Sequence, residues 1–252
     1  MTTTPQNLSA AFEAVSNELV PVWKGFDALT PEQAVHHVEA SRDAYRALLQ
    51  PHVAPVSPAA DDALEEAFAA AAQACRDGDF QALRRQRQVV LKSFLHACYD
   101  GVMTGLDARE PTAAAPWLAH IRLIGKWDER RNPALAAVEA FLASGAKADT
   151  VSQAVLVWFA GQVKHMAVEA AAYAKKADRN QVVLEAVEAR VYLRPIRQAL
   201  AAQLGESQTE HIHQAIEALA AVPEGSGPET MGAAAQRVID LIPFDRGAAS
   251  SR

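Results

Sequence analysis

The apolar residues of this chain recur at intervals of three, four and seven positions over most of its length. This spacing is that of one face of an α-helix. The clearest series starts after Phe80, at Leu83, Val90, Leu91, Phe94, Leu95, Cys98 and Met103. No stretch alternates apolar and polar residues for long enough to predict a strand. We therefore predict an all-α protein, an antiparallel bundle of about ten helices arranged as one bundle or as two sub-bundles.

Capping residues, prolines and glycines mark the helix ends. Residues 30–33 form a capping box with proline at the first helical position, and we expect Pro51 and Pro55 to close the helix it begins. Gly78 supplies the left-handed stop of the next helix, and Asp79 caps the long helix that follows. The later signals are a break bracketed by Pro111 and Pro116, helix starts at Pro133 and Asp178, and a second capping box at 207–210. Pro195 lies in a periodic segment and either kinks or divides that helix.

The domain organisation follows from these boundaries. Residues 1–247 are predicted to form a single helical domain, with residues 248–252 as a disordered tail. The proline-rich, polar segment 108–132 is where a division into sub-bundles would fall.

The composition fits closely packed helices, because half the residues are hydrophobic, only 6% are aromatic, and alanine is the best helix former. The net charge of −6 argues against nucleic acid as a partner, since binding a phosphate backbone requires a basic footprint. The densest basic run is Arg84, Arg85, Arg87 and Lys92, which we interpret as a solvated helix face.

No window approaches 18 uninterrupted apolar residues, so membrane insertion is not expected. The N-terminus lacks a signal-peptide pattern, which predicts a soluble cytoplasmic protein as written and an extracytoplasmic one if a leader has been removed. Cys75 and Cys98 are too few for a disulfide framework, and we interpret them as small apolar core residues.

Enzyme motifs are absent from the sequence. It contains no nucleophile elbow, no phosphate-binding glycine loop and no dinucleotide fingerprint. Paired carboxylates such as Asp61 and Asp62 lie in the first turn of a predicted helix, where their negative charge interacts favourably with the helix dipole. We therefore expect a protein without enzymatic activity.

Histidine and glutamate residues at helical spacing form a candidate metal site. His165 and Glu169 are four positions apart on one predicted helix, and Glu185 and Glu188 lie on the next. Both pairs lie about eight to ten residues from the intervening turn, so an antiparallel hairpin would bring them face to face. One imidazole and three carboxylates suit iron or another divalent first-row metal. The alternative is a satisfied polar face without a metal, beside Lys164, Lys175, Lys176 and Arg190.

Other histidines offer weaker alternatives. His36, His37 and Glu39 form a second group, but adjacent residues of a helix point about 100° apart, which favours a polar stripe. Glu210 and His213 supply only one of the two Glu-x-x-His motifs that a di-iron centre needs. Haem would require an axial ligand, and the helical candidates are His96, His120 and His165. The tryptophans Trp117, Trp127 and Trp158 mark either core or the wall of a pocket.

Several segments occur in an order that resembles a known family. They are Gly78 to Ala82, Tyr99, Ala115 to Leu118 with Arg122, the Ala-Leu-rich stretch 133–145, Glu188 to Arg194, and Leu241 to Gly247. Together they resemble the helical extracytoplasmic domain that precedes the membrane part of bacterial high-affinity iron permeases of the FTR type. The resemblance covers most of residues 40–247 and implies a stand-alone relative of an iron-uptake accessory domain.

The sequence departs from that family in two ways. The intramembrane Arg-Glu-x-x-Glu iron motifs and the membrane helices of the permease are missing, so the resemblance does not imply iron translocation by this chain. Trp158 and Gly161 also stand where the permease domain carries acidic residues, which puts a shared ligand set in doubt.

The leading functional hypothesis is a non-enzymatic helical binding or accessory protein linked to iron or other metal handling. One alternative is a helical scaffold or interaction protein that binds a protein partner or forms homo-oligomers through its apolar helix faces. Another is a binder of haem or a small ligand with an interhelical pocket.

Overall fold

The computed structural model describes residues 5–125, 140–141, 143 and 148–244. These residues form ten α-helices and one 3-10 turn, and none of them lies in a strand, so the all-α helical bundle is confirmed. The chain divides into two compact units, Met1–Lys126 and Trp127–Arg252. Within the described ranges, no helix combines the length and the apolarity needed to cross a bilayer.

Each unit is built from consecutive helices. The first unit contains α1 Pro5–Gly25, α2 Pro31–Leu48, α3 Gln50–Val56, α4 Pro58–Asp77, α5 Phe80–Asp107 and α6 Pro111–Gly125, with the 3-10 turn at Phe26–Ala28. The second unit contains α7 Ala148–Ala174, α8 Arg179–Leu204, α9 Glu206–Ala220 and α10 Pro228–Leu241. The start of the helix predicted at Pro133 and the side chain of Trp127 lie outside the described residues.

The predicted caps explain where most of these helices begin. The Thr30 hydroxyl accepts a hydrogen bond from the Gln33 amide at 3.3 Å, and the Gln33 side chain accepts one from the Thr30 amide at 2.9 Å. Asp79 accepts from the Ala82 amide at 2.8 Å, and Asp178 caps α8 in the same manner. Gly78 has a φ of 67°, which is the left-handed conformation expected of it.

Prolines end or interrupt fewer helices than predicted. Pro51 lies in the first turn of α3, where its missing N–H has no helical acceptor to lose, and α3 continues through Pro55. Pro111 begins α6, which continues through Pro116, so the predicted break is shorter than expected. Pro195 does not divide α8.

The prediction of a second capping box at 207–210 was wrong. Gly205 ends α8 with a φ of 91°, and α9 begins immediately at Glu206 without a side-chain cap. A positive φ that glycine adopts readily reverses the chain here, so the helix starts before Ser207.

Aromatic residues fill the core of the first unit. The ring of Tyr45 lies 5.8 Å from those of Phe68 and Phe94, and its hydroxyl donates to Asp61 at 2.5 Å. Both cysteines are buried and free. Burial raises the pKa of Cys75 to about 11 and raises that of Cys98 further, which supports the interpretation of both as small core residues.

Helices α5 and α6 approach each other most closely at two glycines. A β-carbon on Gly101 would overlap the indole of Trp117, and one on Gly105 would lie 2.7 Å from the amide nitrogen of Ala114. Trp117 is half-buried and packs against the core, which is closer to the first of the two environments expected for it.

The substitution Gly105→Ala is expected to lower the free energy of unfolding by about 1–3 kcal/mol, because the backbone of α6 must move. Gly232→Ala on α10 is the matched control, since nothing lies within 4 Å of its β-carbon. That variant is expected to gain up to about 1 kcal/mol from helix propensity. Urea unfolding of both variants measures the difference, and equal stabilisation would contradict the close approach of α5 and α6.

His120 on α6 is buried in an aromatic environment. Its ring stacks on Phe12 of α1 with centroids 4.5 Å apart, and only 1% of the residue is exposed. Among the described residues, neither ring nitrogen has a hydrogen-bond partner of good geometry. Burial lowers the pKa of His120, and the nearby backbone of Leu8 offsets this only in part.

His120 is expected to make folding sensitive to acid. Its pKa is lower in the folded chain than the ordinary value of about 6.5. The unfolded chain therefore binds the proton more readily, and stability falls as pH drops below that value. His120→Phe is expected to flatten the stability profile between about pH 7 and pH 5, whereas His36→Phe on the surface should leave the slope in place. Thermal unfolding across this range tests the difference, and an unchanged slope in His120→Phe would rule out this source of acid sensitivity.

Candidate metal site between α7 and α8

Helices α7 and α8 form an antiparallel hairpin joined by residues 175–178. The short connection is closed by backbone bonds from Lys176 and Asp178 to the Tyr173 carbonyl at 2.9 and 3.1 Å. A connection of this length makes consecutive helices neighbours. The hairpin predicted from the sequence is therefore present, and the relative positions of its side chains depend on the register of the two helices.

Tyr192, near the middle of α8, fixes this register. Its ring lies 6.2 Å from that of Trp158 and 6.1 Å from that of Phe159, both edge-on. The α7-facing side of α8 therefore carries Tyr192 together with Glu188 and Glu185, which are four and seven residues away. On α7, Gln162 and His165 lie at the same two spacings from Trp158, and Glu169 lies four residues beyond His165.

Polar residues continue this alignment toward the turn. One step of four residues from the Trp158–Tyr192 contact brings Gln162 level with Glu188. A step of three more brings His165 level with Glu185. Glu169 lies one turn beyond His165. We call these five polar residues of the hairpin the band. The register thus places His165 and Glu185 at the centre of the band, with the other two predicted ligands, Glu169 and Glu188, on either side along the hairpin axis.

These side chains differ in depth. Glu188 is 9% exposed and Gln162 is 4% exposed, whereas the side chains of His165 and Glu169 are 30% and 44% exposed. The Nε2 atom of His165 lies 3.9 Å from an Oε atom of Glu169. The band therefore runs from the interior, at Glu188, to the surface, at Glu169.

The opposite face of α8 carries positive charge and binds α9. Arg197 donates to Glu210 at 2.7 Å, and the Arg190 guanidinium lies 3.5 Å from the Glu217 carboxylate. Since these arginines point toward α9, they lie roughly half a turn away from Glu185 and Glu188. Arg190 and Arg197 are thus turned away from the α8 carboxylates that face α7.

The four predicted ligands are not arranged around a common point. Among the described residues, no three histidine, cysteine, aspartate or glutamate side chains are grouped so as to hold a metal ion. The register brings the helices' polar faces together, and new side-chain rotamers would be needed to join these donors on one ion.

The second histidine group lies in the first unit, and the side chains of its two histidines point in different directions, as expected. His36 lines an open groove of about 410 Å³ with Glu32, Glu39 and Arg76. His37 instead lies 3.4 Å from Glu18 of α1. The Glu39 carboxylate is paired with Arg76 at 3.1 Å, so a cation occupies the position that an ion would need.

The remaining candidates have structural partners. Glu210 of the lone Glu-x-x-His motif accepts hydrogen bonds from Arg197 and Gln214. Among the residues considered for haem, His96 lies 3.2 Å from Asp100 one turn along α5, and His120 stacks on Phe12.

Sequence reasoning missed Gln162 as part of the α7–α8 face. A glutamine gives no distinctive pattern by itself, but it shares the helical spacing of Trp158 and His165. Its side chain is buried, as is that of Glu188.

Comparison with known proteins identifies the family. Residues 6–240 match the model of the iron permease FTR1 N-terminal domain, which covers most of the chain. The chain belongs to this family, and the resemblance seen in its sequence is confirmed. No curated protein and no solved structure matches it. Membership links the chain to iron handling and to a family of transporters rather than enzymes.

Proposed function

We propose that this chain is a non-enzymatic accessory domain that binds iron as cargo for an iron-uptake system. The proposed site lies between α7 and α8 and uses His165, Glu169, Glu185 and Glu188. The observation that carries the proposal is the antiparallel register, which aligns an imidazole on α7 with carboxylates on α8 in a member of an iron-permease family.

The donor set matches the chemistry of iron. Carboxylate oxygens are hard ligands and imidazole is a borderline one, and together they suit ferrous or ferric iron better than a soft metal. The described part of the band contains no thiolate, since both cysteines lie in the first unit.

The ion is proposed to lie at the level of His165 and Glu185. Glu188 and Glu169 enter from opposite directions along the hairpin, each about one helical turn away, or ~5 Å. The long glutamate side chains span this distance by a change of rotamer. His165 and Glu169 are half-buried, so they can reorient without opening the core.

The test is anaerobic titration of the chain with ferrous iron, followed by calorimetry. We expect one site with micromolar or tighter affinity. Glu185→Gln and His165→Ala should each weaken binding at least about tenfold, because even outer-shell partners of metal ligands have effects of that size.

His213→Ala is the matched control. His213 is also half-buried and also lies four residues before a glutamate, Glu217, but that glutamate is paired with Arg190. Its loss should leave iron affinity unchanged, and circular dichroism should show that all variants remain folded. Absence of iron binding at micromolar concentration would refute the proposed function. Binding that survives both ligand variants would refute the position of the site.

A further inference from the structure

One end of the first unit carries a cluster of aromatic rings and arginines. The rings of Phe26 and Phe80 lie 5.7 Å apart. The guanidinium carbon of Arg84 lies 5.9 Å from the ring centre of Phe80, and that of Arg87 lies 5.4 Å from the ring centre of Trp23. We call these five residues, from the end of α1, the 3-10 turn and the start of α5, the aromatic–arginine surface.

This surface remains open to solvent on the first unit. Phe80 is 40% exposed, one of a few large apolar residues with such exposure among those described. Trp23 and Phe26 are half-buried and pack their inner edges against the core. The rings are therefore held firmly from below while part of their area faces outward.

Its charge differs in sign from that of the whole chain. Residues 80–99 contain four cations, Arg84, Arg85, Arg87 and Lys92, and no carboxylate, although the chain has a net charge of −6. Lys24, in the last turn of α1, adds another exposed cation. The nearest carboxylates along the chain are Asp27 and Asp79, and that of Asp79 caps α5.

This combination fits an anionic lipid headgroup layer. Guanidinium groups bind phosphate through paired hydrogen bonds, and a cation near an anionic leaflet contributes about 1 kcal/mol. Tryptophan is enriched at the headgroup level of membranes, and a phenylalanine there adds buried apolar area.

We propose that the aromatic–arginine surface docks the first unit onto a membrane that contains anionic phospholipids. Arg84 and Arg87 bind lipid phosphates, and Phe80 is buried among the headgroups. The chain stays peripheral, since docking uses the end of α1, the 3-10 turn and the start of α5, and requires no helix to cross the bilayer. This proposal is independent of the iron site, which belongs to the second unit.

Vesicle co-sedimentation tests the proposal with the whole chain. We expect binding to phosphatidylcholine vesicles that contain phosphatidylglycerol, little binding to vesicles of phosphatidylcholine alone, and release at high salt. Arg87→Gln should weaken binding about fivefold, which corresponds to the loss of one cation near the surface. Phe80→Ser should weaken binding without changing its dependence on salt.

Arg237→Gln on α10 is the matched control, because Arg237 is exposed and its loss changes the net charge equally. Equal effects of Arg87→Gln and Arg237→Gln would overturn the proposal, as would failure to bind anionic vesicles at low salt. Stronger binding to polyglutamate or single-stranded DNA than to anionic vesicles, lost in Arg87→Gln, would assign the surface to an acidic macromolecule and would also overturn it.

Discussion

The close approach of helices through small residues is the constraint on which both units depend. In the hairpin of the second unit, the buried residues nearest the turn include Ala167, Ala170 and Ala174 on α7 and Ala186 on α8. Small side chains let the helix axes lie near each other, because interaxial distance is set by the residues at the contact. In the first unit, Gly101 and Gly105 allow the same between α5 and α6. Alanine-rich composition therefore determines packing distance as well as helix formation.

Close packing also explains why polar side chains of the hairpin face each other. Near the middle of the hairpin, the rings of Trp158 and Phe159 pack edge-on against that of Tyr192. Between these aromatics and the alanines lie Gln162, His165 and the glutamates of α8. The arginines of α8 pair with α9 on the other side. Arg190 and Arg197 thus lie on a different face of α8 from Glu185 and Glu188.

Local signals in the sequence predicted the helix starts well. Thr30, Asp79 and Asp178 each satisfy amide groups of the turn they begin, an effect that depends on three or four residues alone. Pro55, Pro116 and the segment 207–210 were misinterpreted, because neighbouring helices and a positive φ at Gly205 decided the outcome there. The register of α7 against α8 could not be predicted, since it depends on a contact between residues 158 and 192. The single-domain organisation and the four metal ligands stay predictions.

The more deeply a carboxylate of the band is buried, the more strongly it would interact with a bound cation. An ion near Glu188 would interact through the interior of the hairpin, where the effective dielectric constant is lower than at the surface. Burial of a carboxylate carries a desolvation cost that hydrogen bonds or a nearby positive charge offset, and Glu188 is the more buried of the carboxylates, at 9% exposure. Glu169, nearly half exposed, lies where water and salt screen its charge. A cation would therefore be held mainly from the α8 side and from His165, with Glu169 at the entrance. At the proposed site, the same gradient, from a solvated carboxylate to a buried one, would give a charged cargo a direction of entry between the two helices.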